Sequence, residues 1–160
     1  MERVQWSKIR SRLRDLLAAD IARRVDYQLT SYRVHVEDAH EVWITIDKNR
    51  IFSASCRSHM KAMSELWYQN QFAVGPDGLT PEDILKKREI HDACDAVSSF
   101  RAYLDLDPHV ALTSADPILR GLAMLDRRIG WRTLKAIEVS ENEHSLIRTL
   151  YSLRMDSEKG

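Results

Sequence analysis

Two cysteines and two histidines stand at spacings that suit a metal. Cys56-x-x-His59 and His91-x-x-Cys94 each set a thiol and an imidazole three residues apart. On a helix both members of such a pair point the same way, and two pairs meeting would form a tetrahedral Cys2His2 zinc site. The competing reading is a pair of buried thiols and two solvated imidazoles. On a 3.6-residue wheel His91 projects away from the stripe of Ile90, Val97 and Phe100, and Cys56 sits at a strand-to-helix junction where a small buried residue is common. We adopt the metal-free reading, with no cofactor expected. Cys94, beside Asp95, is expected in the core rather than as a nucleophile, because Ala93 and Val97 turn that side of the helix inward.

Two groups of cations come next. Residues 1–24 hold seven Lys or Arg against three acids. Lys8, Arg12 and Arg14 on the outer side of a helix, with Arg33 on the neighbouring strand, would track phosphates, and Tyr32 or Trp43 would stack on an unpaired base. The plainer reading is the charged outer face that any surface helix needs, with the aromatics in the core. Membrane-surface binding through the same helix is not expected, since it would leave a sheet uncovered. Arg127, Arg128 and Arg132 bracket Gly130, and Arg154 joins them if the last helix packs alongside. Such a fork grips a carboxylate or phosphate. Its bland counterpart is pairing with Asp126 or Glu138, plus the roughly 0.3–1 kcal/mol that a cation gains in the last turn of a helix.

Other chemistry is sparse. There is no G-x-G-x-x-G, no Walker lysine loop, no G-x-S-x-G and no H-E-x-x-H. Glu37, Asp38 and Asp47 fall in predicted turns, where Asp favours local backbone bonds, and no carboxylate pair is spaced for acid and base roles. No catalytic residue is assigned.

The elements that must carry these groups follow from periodicity. Trp6, Ile9, Leu13, Leu16 and Leu17 recur at three and four, predicting a helix over 4–19. Alternation then predicts strands over 24–34, 41–47 and 51–55, the last two joined by a short turn in which Asn49 tolerates positive φ. Three strands with one apolar face need a cover, and the first helix is expected to lie across them. Met60, Met63, Leu66 and Trp67 form the inner side of a second helix running from Cys56 to near Val74. Gly75, Pro76, Asp77 and Gly78 read as a linker. Thr80 before Pro81 starts one continuous helix ending near Asp105, closed by Pro108. A further helix begins after Asp116 and ends at Gly130, placed for a left-handed C-cap. Helices over 131–137 and 143–155 complete the chain. The class is α+β: an N-terminal helix on a three-stranded antiparallel sheet, then a helical bundle. Units are expected at 1–74 and 79–155, packed as one body, with 156–160 a disordered tail.

Composition narrows the partners. The 160 residues carry 24 Lys or Arg and 24 Asp or Glu, with 44% apolar and 30% charged residues and a pI of about 7.0. That excludes a globally basic nucleic-acid binder and an acidic solvating tail. Two cysteines are too few for a disulfide framework. No apolar run spans a bilayer, and Lys8, Arg10, Arg12 and Arg14 break any signal-peptide core, so a cytoplasmic chain is expected.

Several strings resemble a family of small uncharacterised bacterial proteins catalogued by a locus tag. They are Trp6-Ser7-Lys8-Ile9, Arg24-Val25-Asp26-Tyr27, Thr30-Ser31-Tyr32-Arg33, and residues 42–47 followed by Ile51-Phe52. Leu125-Asp126-Arg127-Arg128-Ile129-Gly130, with Arg132 and Leu134, and His144 through Tyr151 to Leu153-Arg154 add to the likeness. It covers the first 55 and last 40 residues and leaves out the stretch 56–107. It implies a cytoplasmic bacterial protein and carries over no catalytic residue and no cofactor. The functional expectation is a non-enzymatic interaction or adaptor module, engaging a protein partner or itself through the helical half. Nucleic-acid binding through the basic helix is the alternative, and an unrecognised hydrolase or zinc-dependent enzyme a second one.

Overall fold

A computed structural model describes residues 6–34, 37–70 and 77–159. Gly75, Pro76 and the expected end of the second helix near Val74 lie outside the described residues, as does the beginning of the first helix at residues 4–5. The α+β architecture is as the periodicity implies.

Helix α1 (Trp6–Asp15) buries Ile9 and Leu13, and the chain beyond it adds Leu17, Ala18 and Ile21 to the same core. Strands β1 (Val25–Val34), β2 (Glu37–Ile46) and β3 (Asn49–Ser55) form an antiparallel meander in the order β1-β2-β3. Tyr27 faces Ile44, which faces Phe52, and Leu29 faces Val42, which faces Ala54, so this stretch of the inward face is apolar. The β2–β3 turn differs in detail from the expectation. Asp47 (φ 50°) and Lys48 (φ 69°) are its left-handed residues, and Asn49 already pairs with Ile46 as the first residue of β3. Two consecutive positive-φ residues match the right-handed strand twist, and Arg24 holds the turn with a two-pronged bond to Asp47.

Helix α2 (Cys56–Asn70) follows β3 without a loop and packs on β2, β3 and α3 (Pro81–Lys87). Its buried residue is Leu66. Met60 and Trp67, expected inside, are 62% and 46% exposed, because the sheet below is already covered by another element. That element is α4 (Ala93–Tyr103), which shares with α1 the covering role expected of α1 alone. Phe100 of α4 stands edge-on to Tyr27 at 5.8 Å and to Trp6 at 5.7 Å, so α4 covers β2 and β3 while α1 packs beside it against β1.

The single helix expected to reach Asp105 is two helices. α3 ends at Lys87, Glu89 turns left-handed (φ 56°), and Asp92 restarts the chain by accepting the amides of Cys94 and Asp95. After α4, Pro108 opens a further short helix, α5 (Pro108–Ala111), capped by Asp107. Helix α6 (Pro117–Leu125) is capped by Asp116 as expected, but it ends at Asp126. Gly130 has φ −80° and precedes α7 (Trp131–Lys135), so it is an N-cap and not a left-handed C-cap. The last helix, α8 (Ser145–Glu158), runs through most of the residues expected to be frayed. Helices α6 and α8 meet at Gly121, where an added Cβ would stand 3.0 Å from Leu150 Cδ1, so a larger residue there would require Leu150 to shift. One cluster of buried side chains draws on α1, all three strands, α4, α6 and α8.

Candidate functional site

The break between α3 and α4 builds a cleft. With the chain turned at Glu89 and capped again at Asp92, helices α3, α4, α6 and the start of α8 enclose about 780 Å³. Leu85, Ala96, Ile118 and Ile147 supply its apolar lining. Around them the charge is unequal: Glu82, Asp92, Asp95, Asp116 and Glu143 face Lys86 and Arg120. Some of these are committed to the fold. Asp116 caps α6 and takes the Ser99 hydroxyl, and Arg120 bonds Glu143 at 2.9 Å. Glu82 and Asp95 are exposed, giving the opening a net negative field.

Two imidazoles form one wall. The Leu146 amide donates to His144 Nδ1 at 3.0 Å, so the proton of that ring belongs on Nε2, which lies 2.7 Å from His91 Nε2. This network assigns the His91 proton to Nδ1 and leaves both rings neutral. Burial lowers the pKa of each, and for His91 the facing ring lowers it further. Phe52 packs against both rings. Glu89 reaches across to accept the Ser145 amide and hydroxyl at the start of α8. Burial acts to raise the Glu89 pKa, but the bonds from Ser145 prevail and hold it below its ordinary value.

The four residues of the expected zinc set are partly brought together. Cys56 and Cys94 meet with their sulfurs 3.7 Å apart, and Asp92 joins them. His91 does not: it lies before the N-cap of α4 and is spent on His144. His59 lines the cleft one turn along α2 from Cys56. Two expectations fail here. Cys94 is exposed and not core, because Ala93, Ala96 and Val97 form the buried side of α4, and the imidazoles are half-buried and not solvated. Burial, followed by the bond to Cys56, pushes the Cys94 thiol up to about 11.

The arginine fork is dispersed. Arg128 grips Asp126 with two nitrogens, and Arg127 and Arg132 are exposed. Arg154, only 4% exposed, donates to the Ile129 carbonyl and pairs with Glu158. Asp126 is the centre of this region. It also accepts the Tyr103 hydroxyl at 2.6 Å, and its backbone bridges to Leu17. On the basic helix, Lys8, Arg12 and Arg14 are exposed, with Arg12 3.7 Å from Asp105 and Arg14 4.0 Å from Asp26. Arg33 is exposed near the end of β1. Tyr32 and Trp43 lie on the outer face of the sheet and not in the core. Tyr32 donates to Glu41, and the Arg50 guanidinium stacks 3.9 Å above the Trp43 ring. A smaller depression of about 440 Å³ gathers Arg10, Arg14 and Arg23, where Asp26 already binds Arg10.

Comparison with known protein families matches residues 5–155 to one of them. The chain belongs to the SF0329 protein family. The match runs through 56–107, the stretch the sequence resemblance had left out, so the cleft and the cysteine pair lie inside the family's extent. Nothing matches the chain among curated proteins or solved structures. No helix among the described residues is long and apolar enough to cross a membrane.

Sequence reasoning missed Glu89, Asp92, Arg120 and His144 as parts of this site. For Asp92 a local signal existed: Asp92-Ala93-Cys94-Asp95 is an N-cap followed by an acid at the third helical position. For the others none did, because their partners lie elsewhere in the chain.

Proposed function

We propose that this protein is a non-enzymatic interaction module of the bacterial cytoplasm that takes a basic segment of a protein partner into the α3–α4–α6–α8 cleft. The observation that carries the reading is the cleft itself. It has an apolar lining for aliphatic side-chain stems and exposed carboxylates, Glu82 and Asp95, at its opening for a Lys or Arg head. The imidazoles support binding over catalysis, since their facing nitrogens are spent on one another and on the α8 terminus.

A photo-reactive residue in place of Lys86, inside cells, tests this. The expected result is a discrete adduct whose cross-linked partner segment is net basic, and whose yield falls several-fold on Glu82→Lys with Asp95→Lys. An adduct with an acidic segment, an unchanged yield after charge reversal, or no adduct beyond that of a control probe at exposed Lys48 would overturn the reading. Nucleic-acid binding is the second reading, favoured by the Arg10, Arg14 and Arg23 depression. Asp26 neutralises part of that charge, and the acidic cleft offers phosphates nothing.

A further inference from the structure

Three groups able to ligate a metal converge at Asp92, one of the residues that line the cleft. Cys56 is the first residue of α2, Cys94 is the second residue of α4, and the two are 38 positions apart in the chain. Their meeting is fixed by the backbone: the Ser55 amide donates to the His91 carbonyl at 3.1 Å, tying the β3–α2 junction to the link before α4. The sulfurs stand 3.7 Å apart. Two thiolates bound to one zinc at ~2.3 Å with tetrahedral angles would be about 3.8 Å apart. Among the described residues, Asp92 completes the group, with the three ligand atoms within 4.8 Å of one another. The pair therefore already has the separation that a shared cation requires, whereas a disulfide would need its sulfurs to close to about 2.05 Å.

We propose that Cys56, Asp92 and Cys94 form a binding site for one zinc-class divalent cation, with a fourth position open to water or to His59. Two thiolates and one carboxylate are a donor set for a borderline-soft ion and not for magnesium or calcium. On binding, each thiol gives its proton to solvent and the cation takes its place, so no oxidant or reductant is needed. The three protein ligands sit at the N-terminal ends of two helices, and a coordinated cation deprotonates the thiols it binds. Asp92 keeps its bonds to the Cys94 and Asp95 amides through one carboxylate oxygen, Oδ2, leaving the other for the metal.

The full chain, reduced and stripped of metal with a chelator, is titrated with cobalt(II) and then with zinc(II). The expected result is a thiolate-to-cobalt charge-transfer band with tetrahedral visible bands, saturating at one equivalent and bleached by one equivalent of zinc. Cys94→Ser, at an exposed position, should remove most of the charge-transfer intensity. Asp92→Asn separates ligation from capping, because Asn caps a helix as well as Asp does. It should leave the thermal midpoint close to that of the parent while weakening cobalt binding by roughly tenfold or more. No saturable charge-transfer band, a band that survives Cys94→Ser, or unchanged cobalt affinity in Asp92→Asn would overturn the site. So would a Cys56–Cys94 disulfide that forms in reducing buffer and excludes the metal.

Discussion

Asp126 is a carboxylate with 1% exposure that is nonetheless ionised, and its surroundings explain how. Burial alone would raise its pKa, but Arg128, the Tyr103 hydroxyl and the Arg128 amide bond to the charged form and hold the value below the ordinary one. A group whose folded pKa is depressed stabilises the fold above its unfolded pKa, near 3.8, and loses that contribution as pH falls through the folded value. Asp126→Asn should therefore flatten the acid limb of the stability–pH curve in that window, read by urea unfolding. Asp126→Ala leaves the Tyr103 hydroxyl buried without its acceptor and should cost roughly 2–4 kcal/mol at pH 7. The Arg128 half of this cluster is legible in the sequence, since the two residues are two apart and share a turn. The Tyr103 half is not, because it comes from α4, 23 positions away. The same distinction applies to the arginines: Arg127, Arg128 and Arg132 suggested one fork by their proximity in the chain, but Arg128 turns to Asp126, Arg127 and Arg132 are exposed, and Arg154 binds the Ile129 carbonyl and Glu158.

At the scale of elements, the α3–α4 break and the start of α8 depend on each other. Glu89 adopts a left-handed conformation, costly for a residue with a Cβ, and its carboxylate is thereby aimed at Ser145. No Gly or Pro announces this break, so periodicity alone continued the helix, and only the capping signal at Asp92 spoke against it. The strand meander and the N-terminal caps at Thr80 and Asp116 are local features and were readable, whereas Pro108, read as a helix end, opens a new helix capped by Asp107. His144 provides the test of the α8 terminus. Its folded pKa lies below the ordinary 6.5, with Glu89, Arg148 and Asp116 near it and His91 against it. The unfolded chain takes up the proton first as pH falls, so stability should be flat above about pH 6.5 and decline below it. His144→Asn keeps a capping acceptor and should lessen that decline while leaving stability at pH 8 within about 1 kcal/mol. Equal slopes in parent and variant would show that the imidazole pair does not titrate as argued.

For the whole molecule, Phe100 is the joint between the two halves. It is fully buried and touches Tyr27 of the sheet and Trp6 of α1 from a helix in the C-terminal half. Phe100→Ala should cost roughly 3–5 kcal/mol. Far-ultraviolet circular dichroism and tryptophan fluorescence should report one coincident urea transition in the parent chain, since both halves draw on the same core. Two separated transitions would mean that the sheet unit and the helical unit unfold independently. The sequence led to the expectation of one packed body, but beyond the apolar stripes it did not say which side chains join the halves. Periodicity says which face of an element is buried and not against what, and so the covering role went to α1 alone when α4 shares it. The cleft was hidden for the same reason: its lining comes from α2, α3, α4, α6, α8 and the links between them.

The small bridge between Leu17 and Asp126 has a consequence for how the molecule breathes. The Ala18 amide donates to the Leu125 carbonyl at 2.9 Å, and the Arg127 amide to the Leu16 carbonyl at 2.8 Å. Neither residue lies in a helix or a ladder, yet these two protons are sealed by contacts between segments remote in the chain. Their release requires the two segments to part. In deuterated solvent they would exchange on the schedule of global opening, making two loop amides the slow clocks by which the stability of the entire molecule is told.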